Sequence, residues 1–322
     1  METLKANAVE TANCLPFGRL VDALDHGFAT GCTQPERHHI KIEKNNQTTP
    51  MMLLMPAWSK ADDDRQYLGV KVVNIYPDNR LKNLPGLNST YVLYNGDTGE
   101  ELAIFDGNTL TARRTAATSA LAARYLAPAQ AEKLAIIGAG EVANLLPEAF
   151  SVVRPIKEVI IWNRTEQAAS HLAQRLISKG FSVRVAETVE QAVCDADIVS
   201  AATLSTKPLI HGTWLKRGAH IDLIGAFSPH MRESDDDLVR KAKIYIDTPE
   251  AINEAGDLSQ PIAKGVIQKS DVIATLSDLA KRHQNVVRND GEITLFKAVG
   301  SGLADLYAAT LAFETMNVKL KT

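Results

Sequence analysis

The chain has 322 residues, with 35 Lys and Arg against 38 Asp and Glu for a net charge of -3, a balance that excludes a general binder of nucleic acid. Its 45% hydrophobic and 23% charged residues are those of a soluble globular protein, and its length suits two domains. Residues 1–20 contain no apolar core of signal-peptide length, no stretch approaches a membrane-spanning run, and Cys14, Cys32 and Cys194 are too scattered for a disulfide framework or a zinc site, so a cytoplasmic protein with no metal and no membrane partner is expected.

In chain order, residues 12–32 read as one helix that packs a single face. From Arg37 onward the pattern turns to strands at 38–42, 51–58, 67–76, 91–94 and 102–105, broken by turn formers such as Asn45-Asn46, Pro77-Asp78-Asn79 and Asn95-Gly96-Asp97, which predicts an antiparallel, strand-rich domain. A helix rich in small residues follows at 110–126 and stops at Pro128. Strands near 182–185, 197–202, 220–224 and 243–246 then alternate with helices, the pattern of a parallel doubly wound sheet. A helical stretch at 273–282, a strand at 293–296 and a closing helix at 302–316 complete the chain, with the tail returning to the first domain. The fold class is therefore α/β: a Rossmann-type doubly wound parallel sheet at 113–290, plus a strand-rich α+β domain at 1–112 completed by 291–322.

Residues 132–165 state the chemistry most plainly. An apolar run at 134–137 leads directly into Gly138-Ala139-Gly140-Glu141-Val142-Ala143, then a helical segment, then a second apolar run at 159–162. In that order, strand, glycine turn, helix and strand hold a dinucleotide, whose pyrophosphate sits against backbone amides at the helix N-terminus. Gly138 permits the turn, Gly140 keeps a Cβ out of the phosphate's path, Glu141 and Val142 open the helix beside it, and Ala143 keeps helix and strand close. An acid ending the second strand would accept the ribose hydroxyls of NAD; here Trp162-Asn163-Arg164-Thr165 offers an amide and a guanidinium instead, which favours NADP(H) while remaining compatible with NAD(H).

Four motifs occur in an order that resembles one family: Gly69-Val70-Lys71-Val72-Val73-Asn74, Arg113-Arg114-Thr115-Ala116-Ala117-Thr118-Ser119, the glycine turn, and Lys297-Ala298-Val299-Gly300. The chain resembles the ornithine cyclodeaminase and mu-crystallin family over nearly its whole length. Within it, Gly225-Ala226-Phe227-Ser228-Pro229-His230-Met231-Arg232-Glu233 resembles the branch of Δ1-pyrroline-2-carboxylate reductases, which reduce a cyclic imino acid to L-proline. The resemblance implies that Arg37, Lys71 and Arg114 hold the substrate carboxylate, and that Thr115 meets the cofactor phosphates. It also implies that Thr203, Ile224 and Val299 line the nicotinamide end, that the first domain binds substrate, and that two copies dimerise through it. Its branch often serves degradation of trans-3-hydroxy-L-proline.

Cyclodeaminases of the family carry an aspartate where this chain has Phe227, and phenylalanine cannot titrate. The leading expectation is thus NAD(P)H-dependent reduction of Δ1-pyrroline-2-carboxylate, and of its six-membered homologue Δ1-piperideine-2-carboxylate to L-pipecolate. Two alternatives stay open: an NAD-recycling ornithine cyclodeaminase, and a mu-crystallin-like protein that stores NADPH and a ligand. Lys71, His38 and His39 are the candidate proton donors.

Overall fold

The computed structural model describes residues 3–44, 49–63, 65–282, 288–289 and 291–321; the Asn45-Asn46 turn lies outside them. The chain divides into two compact units, residues 1–114 with 301–322, and residues 115–300.

The first unit opens with β1 (Leu4–Ala6), α1 (Ala8–Asn13) and α2 (Phe17–Thr30). The single helix expected at 12–32 is thus two helices. Pro16 has extended backbone and caps α2, because a proline has no amide to donate and fits a helix only near its start. Then come β2 (His38–Lys41), β3 (Met51–Trp58), β4 (Tyr67–Ile75), β5 (Leu87–Asn95) and β6 (Glu101–Asp106), in a sheet ordered β1-β6-β5-β4-β3-β2. The expected antiparallel pattern holds from β2 to β6, whereas β1 joins the far edge parallel to β6. Cross-strand register divides the sheet into two faces. Met55, Lys71, Tyr91 and Phe105 lie opposite one another on one face, and Leu54, Val72 and Thr90 on the other. The next helix, α3 (Gly107–Leu126), contains the boundary between the units, which falls between Arg114 and Thr115.

The second unit runs β7 (Lys133–Ile137), α4 (Glu141–Ser151), β8 (Glu158–Trp162), α5 (Glu166–Ser178), β9 (Ser182–Val185), α6 (Val189–Val193), β10 (Ile198–Ala201), β11 (His220–Leu223), α7 (Asp236–Lys241), β12 (Lys243–Ile246), α8 (Ala251–Glu254), α9 (Gly256–Ala263), β13 (Val272–Thr275), α10 (Leu276–Arg282) and β14 (Thr294–Lys297). Every strand pair is parallel, in the order β13-β12-β14-β11-β10-β7-β8-β9. Such a sheet is covered on both faces, so its strands are continuous apolar runs: Leu134 to Ile137 and Val159 to Ile161 are wholly buried. The strand order reverses between β7 and β10, the place where open α/β sheets bind ligands at their carboxyl ends.

Two boundaries differ from expectation. The stretch expected to be helical from 273 begins as the edge strand β13 and turns helical only at Leu276. The return to the first unit, expected at 291, begins at Ser301, because β14 is inserted between β11 and β12. The last helix, α11 (Gly302–Lys321), packs against β3, β4, β5 and β6.

Candidate functional site

In the second unit the glycine turn joins β7 to α4. Gly138 has φ 118°, and a Cβ there would stand 2.7 Å from the Ala202 carbonyl oxygen, so only glycine fits without strain. Gly140 caps α4 with extended backbone and makes no side-chain hydrogen bond to the helix. A Cβ on Gly140 would meet nothing within 4 Å, so no packing contact at that point calls for a glycine. Ala143 is wholly buried. The uncapped helix start fits a pyrophosphate.

At the end of β8, Asn163 Nδ2 donates to the Thr165 carbonyl at 3.0 Å, which shapes the turn, while Arg164 and Thr165 are exposed. Thr165 starts α5 without a side-chain cap.

Beyond β10, β11 and β14 the sequence-derived residues are Thr203, Ile224 and Val299. Each sits in a loop fixed by a buried carboxylate that sequence reasoning missed. Glu233 accepts from Thr203 N at 2.7 Å, Thr203 Oγ1 at 2.8 Å, Gly225 N at 3.0 Å and Ala226 N at 3.1 Å. Asp247, directly after β12, accepts from Val299 N at 3.0 Å and Gly300 N at 2.7 Å. Behind Glu233, Lys297 Nζ lies 3.9 Å from its Oε2 and 3.1 Å from Asp257 Oδ2; Asp257 Oδ1 in turn accepts from Glu233 N and Ser234 N, both at 2.9 Å. Burial pushes the Glu233 carboxyl upward, Lys297 opposes this, and Asp257 adds to it. Phe227 follows on the same loop and is 43% exposed.

In the first unit, three elements bring charge together inside the protein. Lys71 on β4 and Arg114 on α3 converge on Asp305 of α11, with Lys71 Nζ to Oδ2 at 2.7 Å and Arg114 Nε to Oδ1 at 2.8 Å. Asp305 is fully buried and the two cations nearly so. Burial brings Lys71 down to about 8; Asp305 raises it, while Arg114 and Arg37 lower it further. Arg37, half-buried before β2, thus adds positive potential at the same point. Asp305 remains below the usual carboxylate range because Arg114 and Lys71 outweigh its burial. Tyr91, directly across from Lys71, has a buried hydroxyl with no hydrogen-bond partner among the described residues. Its ring passes over Gly69, where a Cβ would come within 1.9 Å of Oη, which accounts for the glycine two residues before Lys71.

The structure therefore brings Lys71 and Arg114 onto one carboxylate, with Arg37 within electrostatic reach. Thr115 is half-buried on α3 beside Arg114, while His38 and His39 are exposed on the edge strand β2. The signal for Asp305 is the one charged residue in the apolar first half of α11, Gly302-Leu303-Ala304-Asp305-Leu306. Among the described residues no cluster of His, Cys, Asp and Glu could hold a metal ion, and no helix is long and apolar enough to cross a membrane.

Residues 3–319 match the family described as the ornithine cyclodeaminase/mu-crystallin family. A Δ1-pyrroline-2-carboxylate reductase of Bacillus cereus is 36% identical over 273 residues, covering 84% of this chain and 82% of its own. The ketimine reductase mu-crystallin of Rattus norvegicus is 34% identical, covering 88% and 86%. Among solved structures, the Thermococcus litoralis Δ1-pyrroline-2-carboxylate reductase in complex with NADH and L-proline superposes with a TM-score of 0.91 at 31% identity, covering 98% of each chain.

Proposed function

We propose, for a chain that belongs to the ornithine cyclodeaminase/mu-crystallin family, the reduction of Δ1-pyrroline-2-carboxylate to L-proline. The protein is an NAD(P)H-dependent oxidoreductase acting on a C=N bond. The observation that carries the substrate reading is the pair of buried cations, Lys71 and Arg114, on the single carboxylate of Asp305. Two buried cations share that one carboxylate, so the cluster carries one positive charge in excess, which a substrate carboxylate would balance. Planar guanidinium forks hold such a group at a defined angle to the hydride path.

The bound dinucleotide supplies the hydride. Gly138, Gly140, Glu141 and Val142 hold its pyrophosphate with Thr115 contributing a hydroxyl, and Asn163, Arg164 and Thr165 receive the adenosine ribose. Thr203, Ile224 and Val299 line the nicotinamide. Lys71 Nζ, protonated at neutral pH with its value near 8, gives its proton to the imine nitrogen, which makes the adjacent carbon electrophilic. Of the three candidate donors it is the one inside the charged cluster. Phe227 shields the ring from water. NADP(H) is the preferred cofactor, since Arg164 rather than an acid follows β8. The imine is the dehydration product of trans-3-hydroxy-L-proline, which supports a place in degradation of that amino acid, and the six-membered Δ1-piperideine-2-carboxylate differs by one methylene that a pocket discriminates weakly.

The working unit is a homodimer. The sheet face away from Lys71 carries Ile40, Met52, Leu54, Val70, Val72 and Val92, interrupted by His38, Asn74 and Thr90, a largely apolar surface suited to a second copy.

The test follows NADPH absorbance on addition of Δ1-pyrroline-2-carboxylate, with L-ornithine plus NAD in parallel. Oxidation of NADPH with L-proline as product is expected. Proline and ammonia from ornithine, with no imine reduction, would overturn the reading in favour of a cyclodeaminase.

A further inference from the structure

We propose that Glu233 is a positioning residue for hydride transfer, a carboxylate clamp that fixes the loops after β10 and β11 against each other and so sets the surface that meets the nicotinamide. The proposal rests on the reading that Thr203 and Ile224 line that surface.

The geometry is specific to a carboxylate. All four partners are donors: Thr203 gives its amide and its hydroxyl to one oxygen, and Gly225 and Ala226 give their amides to the other. Two oxygens with two accepting positions each are thereby filled, and a protonated or amidated side chain would set a donor against donors. The side chain is fully buried, and so are Lys297 and Asp257 behind it. Lys297 favours the charged form from the far side, 3.9 Å from Oε2, and Asp257 holds the Glu233 backbone through its amide.

The two loops are also brought into contact in a way that only glycine permits. A Cβ on Gly225 would lie 2.0 Å from the Thr203 carbonyl oxygen, 2.2 Å from its nitrogen and 2.5 Å from Glu233 Oε1. Gly225 allows the approach, and Glu233 locks it. The clamp also commits the Thr203 hydroxyl, whose proton goes to Glu233 while its oxygen accepts from Ser205 N at 3.3 Å. Toward a cofactor this hydroxyl can therefore only accept. Hydride transfer depends steeply on how the donor carbon is placed, so a clamp one shell away from the ring controls rate without touching it.

The experiment compares wild type, Glu233→Gln and Glu233→Asp as full-length protein. It measures NADPH dissociation by fluorescence without imine, kcat and KM for Δ1-pyrroline-2-carboxylate, and the isotope effect with NADPH deuterated at nicotinamide C4. Glu233→Gln is expected to lower kcat by about tenfold or more, with a larger isotope effect, weaker NADPH binding and imine KM within about twofold of wild type. Glu233→Asp, which keeps the charge but is one methylene shorter, should fall between. A folded Glu233→Gln with wild-type dissociation constant, kcat and isotope effect overturns the clamp. So does a loss that merely follows the fraction of folded protein. Should Glu233→Gln not fold, a Glu233→Asp with wild-type kinetics and NADPH binding overturns it alone. Should wild type leave the imine unreduced, the proposed function fails, and the NADPH dissociation constants still decide the clamp.

Discussion

Asp305 and Glu233 are equally buried and titrate in opposite directions. Each loses the same contact with water, which by itself pushes a carboxyl upward. Asp305 nonetheless ends below the ordinary range because two cations lie within 2.8 Å of it. Glu233 ends above, since its close partners are amides and a hydroxyl, its lysine is 3.9 Å away, and Asp257 opposes it. The difference teaches how to read a buried acid by its partners. On the proposed function, an acid whose partners are side-chain cations would tune chemistry, whereas one held by backbone amides would set shape.

The strongest way to break the comparison is to remove the cations. Lys71→Ala and Arg114→Ala should each lower kcat/KM for imine reduction by well over about tenfold, the scale of a charged, buried contact left unpaired. Steady-state kinetics near wild type for either variant would remove that residue from the site and leave Asp305 a plain structural acid.

A change at Asp305 itself sharpens the contrast. Asp305 raises Lys71, whereas Arg114 and Arg37 lower it, so Asp305→Asn takes away the supporting charge and Lys71 loses its proton at lower pH. A group that acts while protonated gives activity below its value and loses it above, so an alkaline limb is expected near 8 in wild type, where Lys71 is brought by its burial, and should move down by about one pH unit or more in the variant. The pH profile of kcat/KM reads this directly. Glu233→Gln should leave that limb in place, because its partners are not Lys71.

The two glycines of the cofactor turn extend the same logic to backbone. Gly138→Ala should destabilise the protein, with its Cβ 2.7 Å from a carbonyl at positive φ, by about 1 to 3 kcal/mol. Gly140→Ala meets nothing within 4 Å and should leave Tm unchanged while weakening NADPH binding. Equal Tm losses would show that Gly140 serves the fold rather than the phosphate.

Much of the fold could be read from the residues because it is local. The strands β9 and β12 fall where the pattern put them, 182–185 and 243–246, and the glycine turn lies between a buried strand and a helix. The strand β1 was not legible: three residues have no period to detect, and they pair with Ala103 and its neighbours far along the chain. The same distance hid the acids. Arg114 and Asp305 are separated by 191 residues and Thr203 and Glu233 by 30, so the motifs that contain Arg114 and Glu233 could be quoted without their partners. The division of 12–32 into two helices could have been read, since Pro16 was in view and a proline there starts a helix more readily than it continues one.

The smallest expected effect lies where neither kind of burial applies. Arg164 is exposed, so any contact it makes with a 2′-phosphate is made partly in water, and screening limits it to the range of a surface ion pair, up to about 1 kcal/mol. Arg164→Ala should therefore weaken NADPH by only severalfold and NADH hardly at all, and the difference should shrink as salt rises. Dissociation constants for both cofactors at low and high ionic strength measure it. An equal change for NADPH and NADH would mean that Arg164 contacts something the two share, such as the adenine face, and that the loop does not discriminate between them. A loss far beyond the surface range would mean that Arg164 becomes buried when the cofactor binds, which would give this loop the character of the Asp305 cluster rather than of an open turn.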